Sequence, residues 1–292
     1  YKMAISLGGG GSASQVNETI DINSAENLIT LEDGRVYLKG GVTETDVASY
    51  PDATAGFAYS GTSFSVASQN TIPFGITWDG TYFWVLNNQS VYKYSAAGVY
   101  QNVSWSVASQ TDTGRDIVWD GSYFWVIGRN QSSVYKYNAA GVYQNVNWSF
   151  NTQLSSYAES ITWDGTYFWL AGYNNNGVFK YSAAGVYQNV TWATSGESVN
   201  VRGLAWTGTH FWTVGSNLDS LWEYTADGVY TGKTISIVSQ ENNPQGLEYA
   251  GGSLYVVGLT NDTVYKYAPQ IGVVSEAGTP LTEGKQNYVR IK

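Results

Sequence analysis

One eight-residue segment returns along this chain at a nearly fixed interval. The segment Trp-Asp-Gly-Thr-Tyr-Phe-Trp-Val at 78–85 recurs almost unchanged at 119–126 and 163–170, and in weaker form at 206–213 and 249–256. Its starts are roughly 43 residues apart, a period typical of repeat architectures in which each unit buries its apolar face against the next. The repeat therefore constrains the fold class before any catalytic question arises.

Each repeat contains four short strand-like segments. In the first complete repeat these are 76–78, 82–86, 91–94 and 99–107, separated by Asp-Gly, by a polar loop and by a turn that ends in Gly. Asp79-Gly80 between two β-rich runs is a hairpin signal, because a tight turn of this kind needs positive φ at both central positions. Four antiparallel strands in such a period describe one blade of a β-propeller. We therefore predict an all-β fold.

Counting the strands predicts five blades. The first three strands of a blade occur five times, but the fifth copy lacks a fourth strand. Residues 59–69, ahead of the first complete repeat, match 100–110 closely, with Phe64 in the place of Trp105. We expect this N-terminal strand to close the last blade, because closure removes strand edges that would otherwise pair with other chains. A six-bladed ring that uses a hairpin at 33–38 is the alternative.

Composition excludes several classes of function. The chain has no Cys, which excludes disulfides, thiolate metal sites and Cys nucleophiles. Its net charge of −9 and its scattered Lys and Arg residues argue against a nucleic-acid surface. No apolar run reaches about 18 residues, so the sequence predicts no transmembrane helix. The 12 Trp residues recur at strand positions, where we expect them to fill the space between blades rather than to stack on sugars.

The sequence offers little catalytic chemistry. His210 is the only His and stands where other repeats have Tyr, so no Ser-His-Asp set can be built without it. We expect the Asp residues of the motif to hold turns rather than a cation. The chain is therefore predicted not to be an enzyme and to carry no metal or cofactor. A hydrolase with paired carboxylates at the mouth of a central channel is the remaining catalytic hypothesis, and Asp116 and Glu159 are its candidates.

The loops that differ among repeats predict the binding face. The Asp-Gly and Ala-Ala-Gly turns barely vary and would share one face of the disc, whereas the loops on the opposite face differ in every repeat. Binding residues tend to lie on loops that a rigid frame holds. We expect five residues of this rim to contact a glycan or cell-surface polymer by hydrogen bonding and ring stacking: Arg115, Arg129, Tyr157, Tyr173 and Arg202. Drift of unimportant loops is the alternative explanation.

The two ends of the chain differ from the repeats. We predict three parts: an N-terminal attachment segment at 1–55, the propeller at 56–270, and a C-terminal hairpin at 271–292 that packs with the N-terminal segment. Closure of the ring as described would bring both ends to the same blade, so they can form one small β-module. The apolar stretch near residue 1 is too short for a signal peptide, so none is expected.

Both ends resemble proteins of bacteriophage virions. The opening Met-Ala-Ile-Ser-Leu-Gly-Gly-Gly at 3–10 is followed by Leu-Ile-Thr-Leu-Glu-Asp-Gly-Arg-Val-Tyr-Leu-Lys at 28–39 and Tyr-Pro-Asp-Ala-Thr at 50–54. Together these segments resemble the start of tail-fibre-like virion surface proteins. The segments at 271–277 and 288–292 resemble the short β-module that closes many such proteins.

This resemblance implies a non-enzymatic structural protein of the virion surface, such as a tail fibre, spike or decoration. The ends would attach to other virion proteins, and the propeller would bind a host surface or glycan. It also implies an extracellular location on the particle, without a nucleic-acid partner and without insertion into a membrane. A homotrimer would suit a fibre. The blade number resembles that of five-bladed lectins of the tachylectin-2 type, so a soluble lectin without a virion is the alternative.

Overall fold

The computed structural model of this 292-residue chain consists of two units, residues 57–268 and residues 1–56 with 269–292. The structure describes residues 56–154, 157–172, 177–194, 200–215 and 219–269, and three short strands at 28–30, 36–38 and 289–290. No helix in these ranges is long and apolar enough to span a membrane.

Nearly all regular structure in the described ranges is β-strand. The first strands in the described ranges are β1 (Leu28–Thr30), β2 (Val36–Leu38) and β3 (Phe57–Ser65). Blade 1 contains β4 (Gly75–Trp78), β5 (Tyr82–Leu86), β6 (Ser90–Ser95) and β7 (Tyr100–Ser106). Blade 2 contains β8 (Gly114–Trp119), β9 (Phe124–Gly128), β10 (Ser133–Tyr137) and β11 (Tyr143–Ser149), and the short helix α1 (Asn151–Leu154) follows it.

The remaining blades repeat this order. Blade 3 contains β12 (Ala158–Trp163), β13 (Tyr167–Gly172), β14 (Gly177–Ser182) and β15 (Tyr187–Ala193). Blade 4 contains β16 (Val201–Trp206), β17 (His210–Gly215), β18 (Ser220–Thr225) and β19 (Tyr230–Ser236). Blade 5 contains β20 (Pro244–Ala250), β21 (Ser253–Gly258) and β22 (Thr263–Pro269), and β23 (Val289–Arg290) is the last strand.

The N-terminal strand closes the propeller, as predicted. The sheet of blade 5 has the order β20-β21-β22-β3, so β3 is its outer strand. Ser60 Oγ in β3 donates to the carbonyl oxygen of Lys266 in β22 at 3.0 Å. The inner strands β4, β8, β12, β16 and β20 contact one another in that order, and β20 contacts β4 again. The prediction of five four-stranded antiparallel blades is confirmed.

The six-bladed alternative is wrong. The hairpin on which it depended pairs β1 with β2, and these strands form a separate three-stranded sheet with β23 from the C-terminal end. Both ends of the chain thus contribute to one small sheet. The expected strand at 271–277 lies outside the described residues.

Aromatic and aliphatic side chains fill the spaces between blades. One buried cluster joins Trp84 and Leu86 of blade 1 to Ile117 and Phe124 of blade 2, and corresponding clusters lie between the other blades. This placement confirms that the strand Trp residues are packing residues. Each large ring that leaves water here contributes about 1.5–3 kcal/mol through burial.

The motif hairpin differs from its expected form by one residue. The N–H of Asp79 bonds to the carbonyl of Tyr82 at 3.1 Å, so Gly80 and Thr81 are the central turn residues. Gly80 has φ +97°, and Thr81 has no positive φ. One glycine with positive φ at the first central position is the requirement of a type II′ turn, which also matches the twist of the strands.

The strand order places two kinds of connection on opposite faces of the disc. Successive strands of a blade are antiparallel, so the Asp-Gly and Ala-Ala-Gly turns lie on one face, here called the turn face. The loops between second and third strands lie on the opposite face with the loops between blades, here called the loop face. The inner strands begin at the loop face and surround the central channel.

Candidate functional site at the channel mouth

At or just before the start of each inner strand, one residue stands four positions ahead of the aromatic residue of its motif. In blade order these residues are Phe74, Arg115, Glu159, Arg202 and Gln245. Two residues further on, every blade has Ile or Leu. The apolar residue type therefore recurs in every blade, whereas the other position holds four different residue types in the five blades.

Irregularities in the ladders direct these side chains. In β12 the residues on either side of Glu159 pair with consecutive residues of β13, so Glu159 is the extra residue of a β-bulge. Arg202 in β16 and Gln245 in β20 hold the same place in their ladders. The ladder of β8 shifts in the region that contains Arg115. Bulges re-aim side chains and are over-represented next to active sites, so these bulges mark the start of the channel as a candidate functional site.

Glu159 lies between two guanidinium groups. Its Oε2 is 3.4 Å from Arg115 Nε and its Oε1 is 3.2 Å from Arg129 Nε, while the carboxylate side chain is only 4% exposed. Arg115 Nε makes this ion pair without the alignment of a hydrogen bond. The same guanidinium lies 4.2 Å above the ring of Phe74. Arg115 is thus held between an aromatic face and a carboxylate.

Arg202 is oriented from the neighbouring blade. Its Nη1 donates to Gln245 Oε1 at 2.6 Å. Gln245 Nε2 in turn donates to Asn243 Oδ1 at 2.8 Å, which turns the amide oxygen toward the guanidinium. Gln245 is 3% exposed, so this contact is protected from solvent. We call the six residues assembled here the mouth cluster: Phe74, Arg115, Arg129, Glu159, Arg202 and Gln245.

The mouth cluster carries an excess of positive charge. Burial raises the pKa of Glu159, and the charges of Arg115, Arg129 and Arg202 lower it part of the way back. Burial lowers the pKa of Arg115, Glu159 opposes this shift, and the other two arginines add to it. All three guanidinium groups therefore act on one carboxylate. Two positive charges remain in excess at this place, in a chain with net charge −9.

Below the mouth, Asp116 satisfies backbone groups of the inner strands. Its Oδ2 accepts hydrogen bonds from Ser160 Oγ at 2.6 Å and from the N–H of Ile161 at 2.9 Å. Its carboxylate also accepts the N–H groups of Ile117, at 2.8 Å, and of Ile76. Burial raises the pKa of Asp116 to about 8, although these hydrogen bonds act in the opposite direction. Asp116 joins the inner strands of three blades.

Other side chains along the channel also accept hydrogen bonds from the backbone of the inner strands. Inner strands have no partner strand on the channel side, so their inward N–H groups need side-chain acceptors. Thr77 Oγ1 accepts the N–H of Trp119 at 3.0 Å. The carboxylate of Glu248 accepts a backbone hydrogen bond from Trp78. Glu248 is half-buried, and the loss of solvent around its carboxyl raises the pKa of this group well above the ordinary value, with the charge of Asp116 adding to the shift.

The geometry does not support the paired-carboxylate hydrolase. Two catalytic carboxyl groups must both reach the substrate. Asp116 is 1% exposed, and both of its oxygens are engaged by inner-strand donors. Glu159 alone lies at the mouth. Asp116 is therefore a structural residue of the channel.

Four of the five residues predicted for the binding rim lie in or beside the mouth cluster. Arg115, Arg129 and Arg202 belong to it. Tyr157 lies next to it, with its ring centre 5.7 Å from Arg129 Cζ and 39% of its surface exposed. Tyr173 lies outside the described residues. Ligand binding by these residues stays a prediction.

Sequence reasoning missed Phe74 and Gln245. Neither residue belongs to a recognisable motif, and each differs from its counterparts in the other repeats. Aligning the repeats on the motif aromatic residue and reading the position four residues earlier would have found both. That alignment places one residue of every blade at the same depth of the channel.

A second cavity opens on the turn face between blades 3 and 4. It has a volume of about 430 Å³, and its walls include Asp164, Trp169, Lys180, Trp192 and Asp227. Trp169 and Trp192 are only 5% and 9% exposed, because they pack between the blades. Asp164 already accepts the indole N–H of Trp169 at 2.6 Å. These walls serve blade packing, so the mouth cluster remains the stronger candidate site.

Among the described residues, no group of three or more His, Cys, Asp or Glu side chains is placed to hold a metal ion. The mouth cluster, with its three arginines, is suited to an anion rather than to a metal.

Comparison with solved structures identifies relatives in fold. Glutaminyl cyclase from Myxococcus xanthus matches with a TM-score of 0.58 and 9% identity over 73% of this chain and 95% of that chain. A nidogen/laminin complex matches with a TM-score of 0.48 and 12% identity, covering 66% of this chain and 74% of that chain. Virginiamycin B lyase from Staphylococcus aureus matches with a TM-score of 0.45 and 13% identity, covering 87% and 84%. No protein-family model and no curated protein sequence matches the chain.

The prediction that this chain is not an enzyme is overturned by the match to glutaminyl cyclase. Glutaminyl cyclase is an enzyme on the same architecture, so a propeller scaffold does not exclude catalysis. At 9% identity the likeness shows the fold alone and assigns no substrate. None of the three structures is a virion protein.

Proposed function

We propose that the mouth cluster binds an anionic group, and that the ligand is an acidic glycan presented on a surface. The observation that carries this proposal is the ratio of three guanidinium groups to one carboxylate at the mouth. Guanidinium groups form paired, charge-assisted hydrogen bonds with carboxylate, sulfate and phosphate. The exposed ring of Tyr157 beside Arg129 adds a stacking surface for a sugar.

The surrounding charge makes this site selective. The chain as a whole has net charge −9, so an anion is repelled elsewhere and attracted at the mouth. The guanidinium of Arg115 is held by Phe74 and Glu159, and Arg202 is held by Gln245. Groups that are already oriented lose little conformational entropy when a ligand binds.

Calorimetric titration tests the proposal. Glucuronate, N-acetylneuraminate, sulfate and phosphate serve as probes, with neutral glucose for comparison. We expect heat of binding for an acidic saccharide and none for glucose. R115Q and R202Q should each weaken binding by roughly tenfold, since each loses a charge-assisted hydrogen bond.

Two further variants sharpen the test. K233Q removes a positive charge from the outer strand β19, outside the mouth cluster, and should leave the affinity unchanged. E159Q removes the competing carboxylate and should strengthen anion binding. Equal affinities in wild type, R115Q and R202Q, or weaker binding in E159Q alone, would contradict the proposal.

A second candidate function is acid–base catalysis on the ligand held at the mouth. A carboxyl group whose pKa is raised by burial in a cleft is a candidate general acid, and Glu159 is such a group. Incubation of acidic saccharides with the protein, followed by mass spectrometry, would reveal a product. E159Q should then abolish turnover while it retains binding; turnover that survives in E159Q would remove Glu159 from this role.

For the terminal segments we propose attachment to a particle. The sequence resemblance of both ends to virion surface proteins supports this role, as does the sheet that joins β1, β2 and β23. Immunogold labelling of native phage particles with an antibody against residues 57–268 is the test. Absence of label from the particles would favour the soluble lectin alternative.

A further inference from the structure

Several blade junctions share one fully buried position. It is the residue whose N–H bonds back to the carbonyl of the residue four places earlier, just after the outer strand. In the described junctions its occupants, each at most 1% exposed, are Asn70, Thr111, Leu154 and Glu241. Leu154 shows that an apolar side chain fits this position, and Asn70 and Thr111 show that neutral polar ones do. The fold itself therefore does not require a carboxylate at Glu241.

Glu241 has no opposing basic side chain among the residues that the structure describes. The ion pairs there involve Glu159 and Glu223 instead. Oε1 of Glu241 accepts the N–H of Asn243 at 2.8 Å, the N–H of Thr260 at 3.1 Å and the hydroxyl of Thr260. Oε2 is buried and has no hydrogen-bond partner. Burying an uncompensated charge is costly, so this carboxylate calls for a positive partner.

Oxygen atoms converge around the same carboxylate. Thr260 Oγ1 contacts Oε1 of Glu241 and lies 2.6 Å from Asn242 Oδ1. A hydroxyl has one proton and can donate it to only one of these two acceptors. Asn242 and Thr260 are exposed, so the group can be reached from solvent although the Glu241 carboxylate is buried.

We propose that Glu241, Asn242 and Thr260 bind a hard metal cation, with Ca²⁺ the best fit. A carboxylate, an amide oxygen and a hydroxyl are hard oxygen donors, and no nitrogen or sulfur ligand is among them. Ca²⁺ accepts irregular sets of oxygen ligands completed by water, whereas Mg²⁺ demands near-ideal octahedral geometry. The cation compensates the buried charge and gives Oε2 its partner. This site is separate from the mouth cluster and does not depend on the function proposed there.

Thermal unfolding of the full chain tests the site. After treatment with a chelator, the protein is titrated with CaCl₂, MgCl₂ or KCl at matched ionic strength. We expect Ca²⁺ to raise the Tm of the wild type by roughly 5 °C at a hundredfold excess over Kd. E241Q, which keeps the shape and removes the charge, should show no such rise. D227N removes an exposed acid of the turn face and should respond as the wild type does.

Terbium luminescence gives a second readout. The hydroxyl of Tyr267 lies 3.4 Å from Gln240 Oε1, next in sequence to Glu241, so an aromatic ring that can transfer excitation energy to Tb³⁺ lies near the site. Tb³⁺ emission excited through aromatic side chains should appear in the wild type, fall on addition of Ca²⁺, and be lost in E241Q. If E241Q does not fold, E241N replaces it, because Asn is the native occupant of the equivalent position at Asn70.

Two results would overturn the proposal. One is a Tm that responds to each cation equally in wild type and E241Q. The other is Tb³⁺ emission that the substitution leaves unchanged. A response to Mg²⁺ or K⁺ without one to Ca²⁺ would overturn the assignment of Ca²⁺. A wild type without any cation response would make Glu241 a buried acid with the same structural role as Asn70.

Discussion

The aspartate of the repeated motif joins a turn to an indole. Asp79 Oδ1 accepts the N–H groups of Thr81 and Tyr82 at 2.8 and 2.7 Å. Its Oδ2 accepts the indole N–H of Trp84 at 2.7 Å. From the third strand, Lys93 Nζ lies 5.2 Å from the centre of the same indole. The Trp ring is therefore placed between a carboxylate and an ammonium group, and blades 2 and 3 repeat the arrangement.

Blade 4 changes both charges of this arrangement together. Thr207 replaces the aspartate and accepts the N–H of His210 at 3.1 Å. Glu223 replaces the lysine, opposite Trp212 in the ladder, and pairs with Lys233 at 3.4 Å. Blade 5 changes only one of them, because Ala250 replaces the aspartate while Lys266 is retained opposite Tyr255 in the ladder. Both charges therefore flank the ring together in blades 1, 2 and 3, but not in blades 4 and 5.

Substitution of the motif aspartate should weaken one blade measurably. D120A removes two backbone hydrogen bonds and one indole hydrogen bond. We expect the free energy of unfolding to fall by about 2 kcal/mol, since each such bond contributes about 0.5–1.5 kcal/mol. T207A, at the equivalent position of blade 4, should cost less. Urea unfolding followed by Trp fluorescence measures both, and equal losses would disprove the role given to the carboxylate.

Four of the five blade junctions are packed by an aromatic residue of an outer strand, and the junction between blades 4 and 5 has Ile235 at this position. A Cβ added to Gly141 would overlap the indole of Trp105, which means that the outer strand of blade 1 packs directly on a turn glycine of blade 2. Gly141 also has φ +76°, a conformation that favours glycine. Phe64 of β3 makes the same contact with Gly98 of blade 1. The N-terminal strand therefore closes the ring by both backbone pairing and side-chain packing.

Removal of the closing side chain should destabilise the propeller. F64A leaves a cavity between blade 5 and blade 1, and we expect a loss of about 3 kcal/mol in the free energy of unfolding. F64W introduces the residue type found at three other junctions and should be tolerated. V103A, on the exposed side of an outer strand, is the control and should change stability little. If V103A lowered the free energy of unfolding as much as F64A, the Phe64 side chain would have no particular role in closing the ring.

At the scale of the whole molecule, the sequence predicts the frame well. Repetition reveals the frame, because the blades pack alike and reuse the same residue types, such as Gly80 with its equivalents in all blades and Trp84 with its equivalents in blades 2 to 4. The displaced strand could be recognised for the same reason, since Phe64 occupies the position of Trp105. The Asp-Gly signal predicted the hairpins correctly, although their central residues are Gly80 and Thr81 rather than Asp79 and Gly80.

The candidate site was predicted only in part. Arg115, Arg129 and Arg202 were chosen because they differ from the equivalent residues of other repeats, and they do lie together. Their arrangement around Glu159 depends on bulges and on closure of the ring, neither of which leaves a local signal. Gln245 was missed because its role comes from a residue of the preceding blade.

The closed ring also makes the channel sensitive to pH. Burial raises the pKa of Asp116 to about 8 and raises the pKa of Glu248 well above its ordinary value. In the unfolded chain both groups titrate near pH 4. Between these limits the folded protein binds more protons than the unfolded chain. The free energy of unfolding therefore falls as pH rises through this window, and the stabilising contribution is complete only below about pH 4.

This pH dependence can be tested with a neutral substitution, which should change the slope of the free energy of unfolding against pH. We expect the free energy of unfolding, measured by urea at successive pH values from 5 to 8, to decline by about 1.4 kcal/mol per pH unit for each group that stays protonated. E248Q keeps an acceptor for the N–H of Trp78 and removes the titrating proton, so it should flatten the decline. D227N, which removes an exposed acid, should leave the slope as it is. A wild type whose stability rises over this range would show that the four hydrogen-bond donors around Asp116 outweigh its burial and keep it ionised.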